Sequence, residues 1–173
     1  ISMSVLLFAT GTQLFAGTVM SIGNVSGQPG ETVDMTINLA NDDPVCAFQV
    51  DITLPEQVTF NGTYALTSRA SAEHQIVANI LSTGALRILV YSMPAIAFSG
   101  NNGAICTFEV VLSDAPGSYS VTLSDAVLSG ATGNPFDVTT QNGIITIEGS
   151  TADNLMYINN YTGNTGDQLT VEI

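Results

Sequence analysis

The sequence predicts an all-β fold, a sandwich or jelly roll, and three observations carry that expectation. Nine short segments alternate apolar and polar residues or are rich in β-branched and aromatic ones. Clusters of Gly, Pro, Asn, Asp and Ser separate them. No stretch sustains a 3.6-residue period with caps, so helix is limited to a turn or two around SRASAEH, residues 68–74.

The first strand is expected over 18–25 and the second over 32–39, joined by SGQPGE. In that turn Gly27 and Gly30 flank Gln28 and Pro29; Gly tolerates positive φ, whereas Pro fixes its own. A phosphate-cradling loop would need a helix to follow, but ETVDMTI reads as a strand. After ANDDP comes the third strand, CAFQVDITL at 46–54, with Cys46, Phe48, Val50, Ile52 and Leu54 on one side and Ala47, Gln49, Asp51 and Thr53 on the other. LPEQ turns the chain into the fourth strand, 57–64, and the fifth is expected over 75–81.

Beyond STG, the sixth strand, ALRILVYSM at 85–93, is apolar on both sides. Leu86, Ile88 and Val90 can line a core, which leaves Leu89, Tyr91 and Met93 outward beside Arg87. Such a row has the composition of a recognition surface, unless a loop or another module covers it. SGNNG leads to the seventh strand, AICTFEVVL at 104–112, with Cys106, Phe108, Val110 and Leu112 on one side. SDAPG precedes the eighth, 118–128; SGATGNP and TQNG then lead to the ninth, 143–148.

The chain has 173 residues, 45% of them hydrophobic, enough for one complete domain plus a fragment. GNVSGQPGETVDMTI at 23–37 aligns without gaps on NNYTGNTGDQLTVEI at 159–173, offset by 136 residues. Asn24/Asn160, Gly27/Gly163, Gly30/Gly166 and Ile37/Ile173 are kept, as are Met20/Met156 and Ile22/Ile158 upstream. This predicts a module over 17–149 and the first strands of a second, truncated copy over 150–173. Residues 1–16, ISMSVLLFATGTQLFA, are uncharged, contain the apolar run Val5 to Ala9 and precede Gly17, as in a secretory signal peptide lacking its basic start; a buried first strand is the alternative.

Fifteen carboxylates face only Arg69 and Arg87, a formal charge of -13 that repels phosphate backbones and anionic lipid. Nucleic acid is therefore not an expected partner, and no apolar run approaches the roughly 18 residues that insertion in a membrane needs. With an exported chain, Cys46 and Cys106 have two readings: a disulfide that would stabilise by roughly 4 kcal/mol if their strands are neighbours, or two small buried hydrophobes. One His and two separated Cys give no metal-ligand spacing, and no cofactor is implied. His74, beside Glu73, reads as a solvated surface residue; no Ser stands in a nucleophile elbow, and Asp42 and Asp43 read as turn acids, so the chain is not expected to be an enzyme.

The order of these pieces resembles the bacterial cohesin modules of scaffolding proteins. The resemblance covers residues 18–148: MSIGNVSGQPGETVDMTINL, CAFQVDITLPEQVTF, GALRILVYSM, NGAICTFEVVLSDAPGSYSVTLSDAVLS and NGIITI. It implies a nine-stranded jelly-roll β-sandwich whose one sheet face docks a dockerin, a small calcium-loaded helical module. It also implies that the third strand lies between the sixth and the one carrying AICTFEV, which would put Cys46 and Cys106 on adjacent strands. The face would then hold Ala47, Gln49 and Asp51, then Arg87, Leu89, Tyr91 and Met93, then Ile105, Thr107, Glu109 and Val111. Dockerin-binding cohesins commonly carry Asn and Asp near the start of the third strand, where this chain has Val45 and Ala47. A dockerin-like protein partner, outside the cell or on its surface and in polysaccharide degradation or surface assembly, is the function implied. A carbohydrate-binding module is the main alternative, with polysaccharide as partner, although Trp is absent and only Tyr91 and Tyr64 are candidates for a sugar platform; a structural surface or adhesin repeat is the other.

Overall fold

The computed structural model describes residues 17–149 and 165–166. The signal peptide expected over 1–16 and, but for Thr165 and Gly166, the second copy expected over 150–173 lie outside the described residues. Twelve strands follow one another: β1 (Thr18–Ile22), β2 (Val25–Gly27), β3 (Thr32–Ala40), β4 (Ala47–Thr53), β5 (Val58–Leu66), β6 (His74–Ile80), β7 (Leu86–Ser92), β8 (Ala104–Leu112), β9 (Gly117–Ser129), β10 (Pro135–Phe136), β11 (Val138–Gln141) and β12 (Gly143–Ile147). All nine expected strands are present, and the described residues contain no helix. The segment 18–25 divides into β1 and β2, and β10 and β11 lie where dense Gly, Asn and Pro had suggested only turns.

The strands form two layers, one ordered β11-β1-β3-β8-β5 and the other β2-β12-β9-β4-β7-β6, with β10 paired to β9. The division of the first strand has a local cause: β1 belongs to one sheet and β2 to the other, so the chain crosses at Gly23 and Asn24. A second crossing, from β11 to β12 at Asn142 and Gly143, packs against the first. A Cβ on Gly143 would stand 2.9 Å from the carbonyl oxygens of Ile22 and Gly23, so only glycine fits. Asn24 Oδ1 accepts the Ile144 N–H at 2.8 Å and Asn142 Oδ1 accepts that of Leu123 at 3.0 Å, pairing donors that the two corners would otherwise strand.

Between the layers lies one core of alternate side chains: Met20 from β1, Met35 and Ile37 from β3, Phe48 and Ile52 from β4, Ile88 and Val90 from β7, and Phe108 from β8, none more than 1% exposed. At about 25 cal/mol per Å² of apolar surface, each such side chain contributes about 1.5–3 kcal/mol.

At the end of this core, Arg69 serves as a staple. Its Nε donates to the Ser99 carbonyl (2.7 Å), Nη1 to Leu39 (2.7 Å) and Gly103 (3.0 Å), and Nη2 to the Gly100 carbonyl and Asn41 Oδ1 (both 3.0 Å). One guanidinium thus holds the end of β3 to the 99–103 loop, and burial lowers its pKa.

The layer order corrects one expectation. β4 lies between β9 and β7, whereas β8 lies between β3 and β5 in the other sheet. The thirteen-residue β9 occupies the place that had been given to the AICTFEV strand. Cys46 and Cys106 do point inward, 3% and 0% exposed, but they approach the core from different sheets and are not bonded. The Cys46 thiol donates to the Ala95 carbonyl at 3.1 Å, and burial pushes both thiols up from their ordinary pKa, Cys106 far more. The buried thiol is therefore a poor nucleophile. A thiol reagent is expected to find no reactive Cys106 in the folded protein and two free thiols after unfolding without reductant; one disulfide recovered by mass spectrometry would contradict this.

Candidate functional site

The seven-stranded layer turns its outer side to solvent over β9, β4, β7 and β6, and strand register brings side chains there into rows. Val127 of β9 pairs with Gln49 of β4, Gln49 with Leu89 of β7, and Leu89 with Val77 of β6. Val127 is 49% exposed, and Leu89 and Val77 are 37% exposed each. Three apolar side chains and one amide thus form a band across four strands. On one flank, Ser129 pairs with Ala47 and Tyr91 with Gln75; on the other, Asp51 pairs with Arg87 and Arg87 with Asn79.

Arg87 closes a two-pronged hydrogen bond on Asp51, Nε to Oδ1 at 2.6 Å and Nη2 to Oδ2 at 2.7 Å. The carboxylate is buried beneath the partly exposed guanidinium. That hydrogen bond raises the Arg87 pKa, with attraction to Asp51 and Asp125 adding to it and burial opposing it. Paired in this way, the two charges cancel, and the band of Val127, Gln49, Leu89 and Val77 is itself an uncharged window on a strongly acidic chain, with Asp125 bordering its Arg87 flank.

The candidate residues fall into two sets. Ala47, Gln49, Asp51, Arg87, Leu89 and Tyr91 lie together on the outer side of β4 and β7, and Met93, 83% exposed, follows in the turn after β7. Thr107 and Glu109 do not join them: they lie on β8, in the opposite sheet, paired with Thr36 and Asp34 of β3. Glu109 accepts a hydrogen bond from Asn61 there, Val111 is half-buried, and Ile105 is in the core.

Several neighbours in the window were not foreseen. Gln75, Val77 and Asn79 follow from the alternation in QIVANI once β6 is known to flank β7. Val127 is outward only because β9 bulges: the register slips between Gln49 and Asp51, Asp125 has φ +48, and the inward residues change from Val121 and Leu123 to Leu128. An Asp tolerates the left-handed region better than most residues, so the break in parity in VTLSDAVL was the available signal.

His74 is not a surface residue. It is 5% exposed and stacks on Phe98 with ring centroids 4.4 Å apart. The Ser71 N–H donates to Nδ1 at 3.0 Å, which leaves the proton of the neutral ring on Nε2, an atom with no hydrogen-bond partner among the described residues. Burial lowers its pKa, against smaller opposing contributions from the Ser71 and Ile96 backbones. The unfolded chain therefore takes up a proton first as the pH falls below the ordinary His value of about 6.5. The His74 contribution to stability is complete above that pH and is lost as the pH falls toward the lower folded-state value. Thermal melts from neutral to mildly acidic pH are expected to show a loss in the parent that His74→Phe lacks; identical profiles would contradict it.

The two candidates for a sugar platform do not share a face. Tyr91 is on β7, whereas Tyr64 is on β5 in the other sheet, stacked on Phe60 at 6.4 Å. Among the described residues no three His, Cys, Asp or Glu are grouped to hold a metal ion.

Comparison with known proteins places this geometry in a family. The family described as "Cohesin domain" matches residues 18–147. The fold is similar to a non-cellulosomal cohesin from the archaeon Archaeoglobus fulgidus, with TM-score 0.67, 16% identity, and 79% of this chain and 94% of that one covered. It is also similar to the sixth cohesin of Acetivibrio cellulolyticus scaffoldin B in complex with a Cel5 dockerin, at TM-score 0.67 and 17% identity over 77% and 100% of the two chains. A cohesin from Clostridium acetobutylicum in solution gives 0.64 and 18% over 78% and 93%. No curated protein matches the sequence.

Proposed function

We propose a protein-binding role from one premise: the chain belongs to the cohesin domain family, matched over residues 18–147. In this reading residues 17–149 are a non-catalytic scaffold module that holds a dockerin-like partner on the outer face of β9, β4, β7 and β6. The observation that carries it is the neutral band of Val127, Gln49, Leu89 and Val77 on a chain of formal charge -13. Interfaces place apolar and aromatic side chains at a centre depleted of charge, with polar groups around it, and the band with its amide flanks has that arrangement. Several solved cohesins of this fold are bound to dockerins, including one from Clostridium thermocellum. The apolar leader over 1–16 and the 136-residue repeat support export and a tandem array outside the cell or on its surface, in polysaccharide degradation or surface assembly.

Polysaccharide binding is less well supported, since Tyr91 and Tyr64 are held in opposite sheets. The test sets the two against each other: the immobilised chain is challenged with the dockerin modules of its own organism and, separately, mixed with insoluble polysaccharide. Retention of a dockerin, lost with a calcium chelator that leaves the melting of this chain unchanged, is the expected result. Sedimentation with polysaccharide and no dockerin retained would overturn the reading.

A further inference from the structure

The four lateral edges of the two layers are not alike. β2 has three residues and β11 four, too short to template a partner strand. β5 is interrupted: its register slips between Phe60 and Tyr64, Gly62 has φ +95, and Asn61 Oδ1 accepts the Thr63 N–H at 2.8 Å. Shortness and bulges are the means by which sheet proteins blunt their edges, along with charge and proline. The remaining edge, β6, has none of them. Its seven residues, HQIVANI, pair with β7 in unbroken register, contain no Asp, Glu, Lys, Arg or Pro, and expose Val77 and Ile80. Among the described residues no strand is hydrogen-bonded to its other side.

We infer that β6 is a strand-pairing edge and that its occupant is β6 of a second copy of this chain, antiparallel about a two-fold axis at Val77. Symmetry requires that a residue on the axis meet itself, and Val77 is the middle of the strand. Gln75 then faces Asn79 of the second copy, amide to amide, on the outer side. Ile76 faces Ala78 of the second copy on the inner side. The only charge bordering the strand, Glu73, falls opposite Leu81 of the second copy, so two chains of charge -13 meet here without like charges facing. An acidic occupant would find no free cation beside the strand among the described residues, because Arg87 is engaged with Asp51 and Arg69 with loop carbonyls. Pairing also continues the band of Val127, Gln49, Leu89 and Val77 into its mirror on the second copy, while Leu89 and Tyr91 stay open on both. The inference thus stands apart from the dockerin reading.

Sedimentation velocity on the 173-residue chain, from micromolar to millimolar, is expected to show reversible dimerisation that strengthens with added salt as repulsion between the acidic chains is screened. Val77→Lys, which puts two charges on the axis, should weaken association at least about tenfold, while the melting temperature, read at a dilution where both proteins are monomeric, stays that of the parent. A short bis-maleimide linker should join Val77→Cys to itself and join copies of the double variant Gln75→Cys/Asn79→Cys, but leave Gln75→Cys alone unlinked. A monomer throughout the range, or a dimer indifferent to Val77→Lys, would overturn the inference.

Discussion

Replacing Arg69 with alanine is expected to lower the unfolding free energy by at least about 3 kcal/mol, because hydrogen bonds to a charged donor contribute roughly 1.5–3 kcal/mol each and five are lost together. The acceptors are four backbone carbonyls and the Asn41 side chain; the Gly103 carbonyl keeps the Leu39 N–H, but the Leu39 carbonyl and Asn41 Oδ1 would lose the guanidinium donor or draw water into the loop. Arg69→Lys should recover only a minor part, since an ammonium offers three donors from one point where the guanidinium offers five in a plane. Urea unfolding checks both variants. A loss under about 1 kcal/mol for Arg69→Ala would mean that the loops hold together without the staple.

Leu89→Glu is expected to weaken binding of the protein partner at least about 100-fold, some 2.7 kcal/mol, by placing an unpaired carboxylate at the centre of the neutral band. Leu89 is 37% exposed in the unbound chain, so folding should be almost unaffected. Its neighbour Val90 is fully buried and points to the other side of the same strand. Val90→Ala should do the reverse, costing about 2 kcal/mol of stability with little change in affinity. Tyr91→Ala, outward again, should lose affinity by about 2 kcal/mol, as interface aromatics do. Isothermal titration beside urea unfolding reads both effects. Equal unfolding penalties at 89, 90 and 91, with binding unchanged, would mean that this face is packing.

How much of this was legible in the sequence depended on whether the signal was local. Alternation in TVDMTINL, CAFQVDITL and AICTFEVVL specified strands and their buried sides, because a period of two needs no knowledge of the partner strand. The outward row of Leu89 and Tyr91 was legible for the same reason. Which strands are neighbours was not: β4 and β8 alternate equally well, and nothing in either states that a thirteen-residue β9 would pair with β4 on the side where β8 was expected. That one non-local fact separates Thr107 and Glu109 from the window and Cys46 from Cys106. His74 was misread because its neighbours in sequence are polar, while its burial comes from Phe98, two strands and a turn away. Val127 was hidden by the bulge at Asp125, which reverses the alternation within a single strand.

The most direct measurement is a map of backbone amide shifts in the labelled chain as a retained dockerin is titrated in. If the outer face of β9, β4, β7 and β6 is the binding surface, shifts and broadening should centre on Gln49, Leu89 and Tyr91, extend to Val77 and Val127, and leave Thr107 and Glu109 unmoved. Perturbation centred on Thr107 and Glu109 across β8, with Gln49 and Leu89 silent, would contradict it.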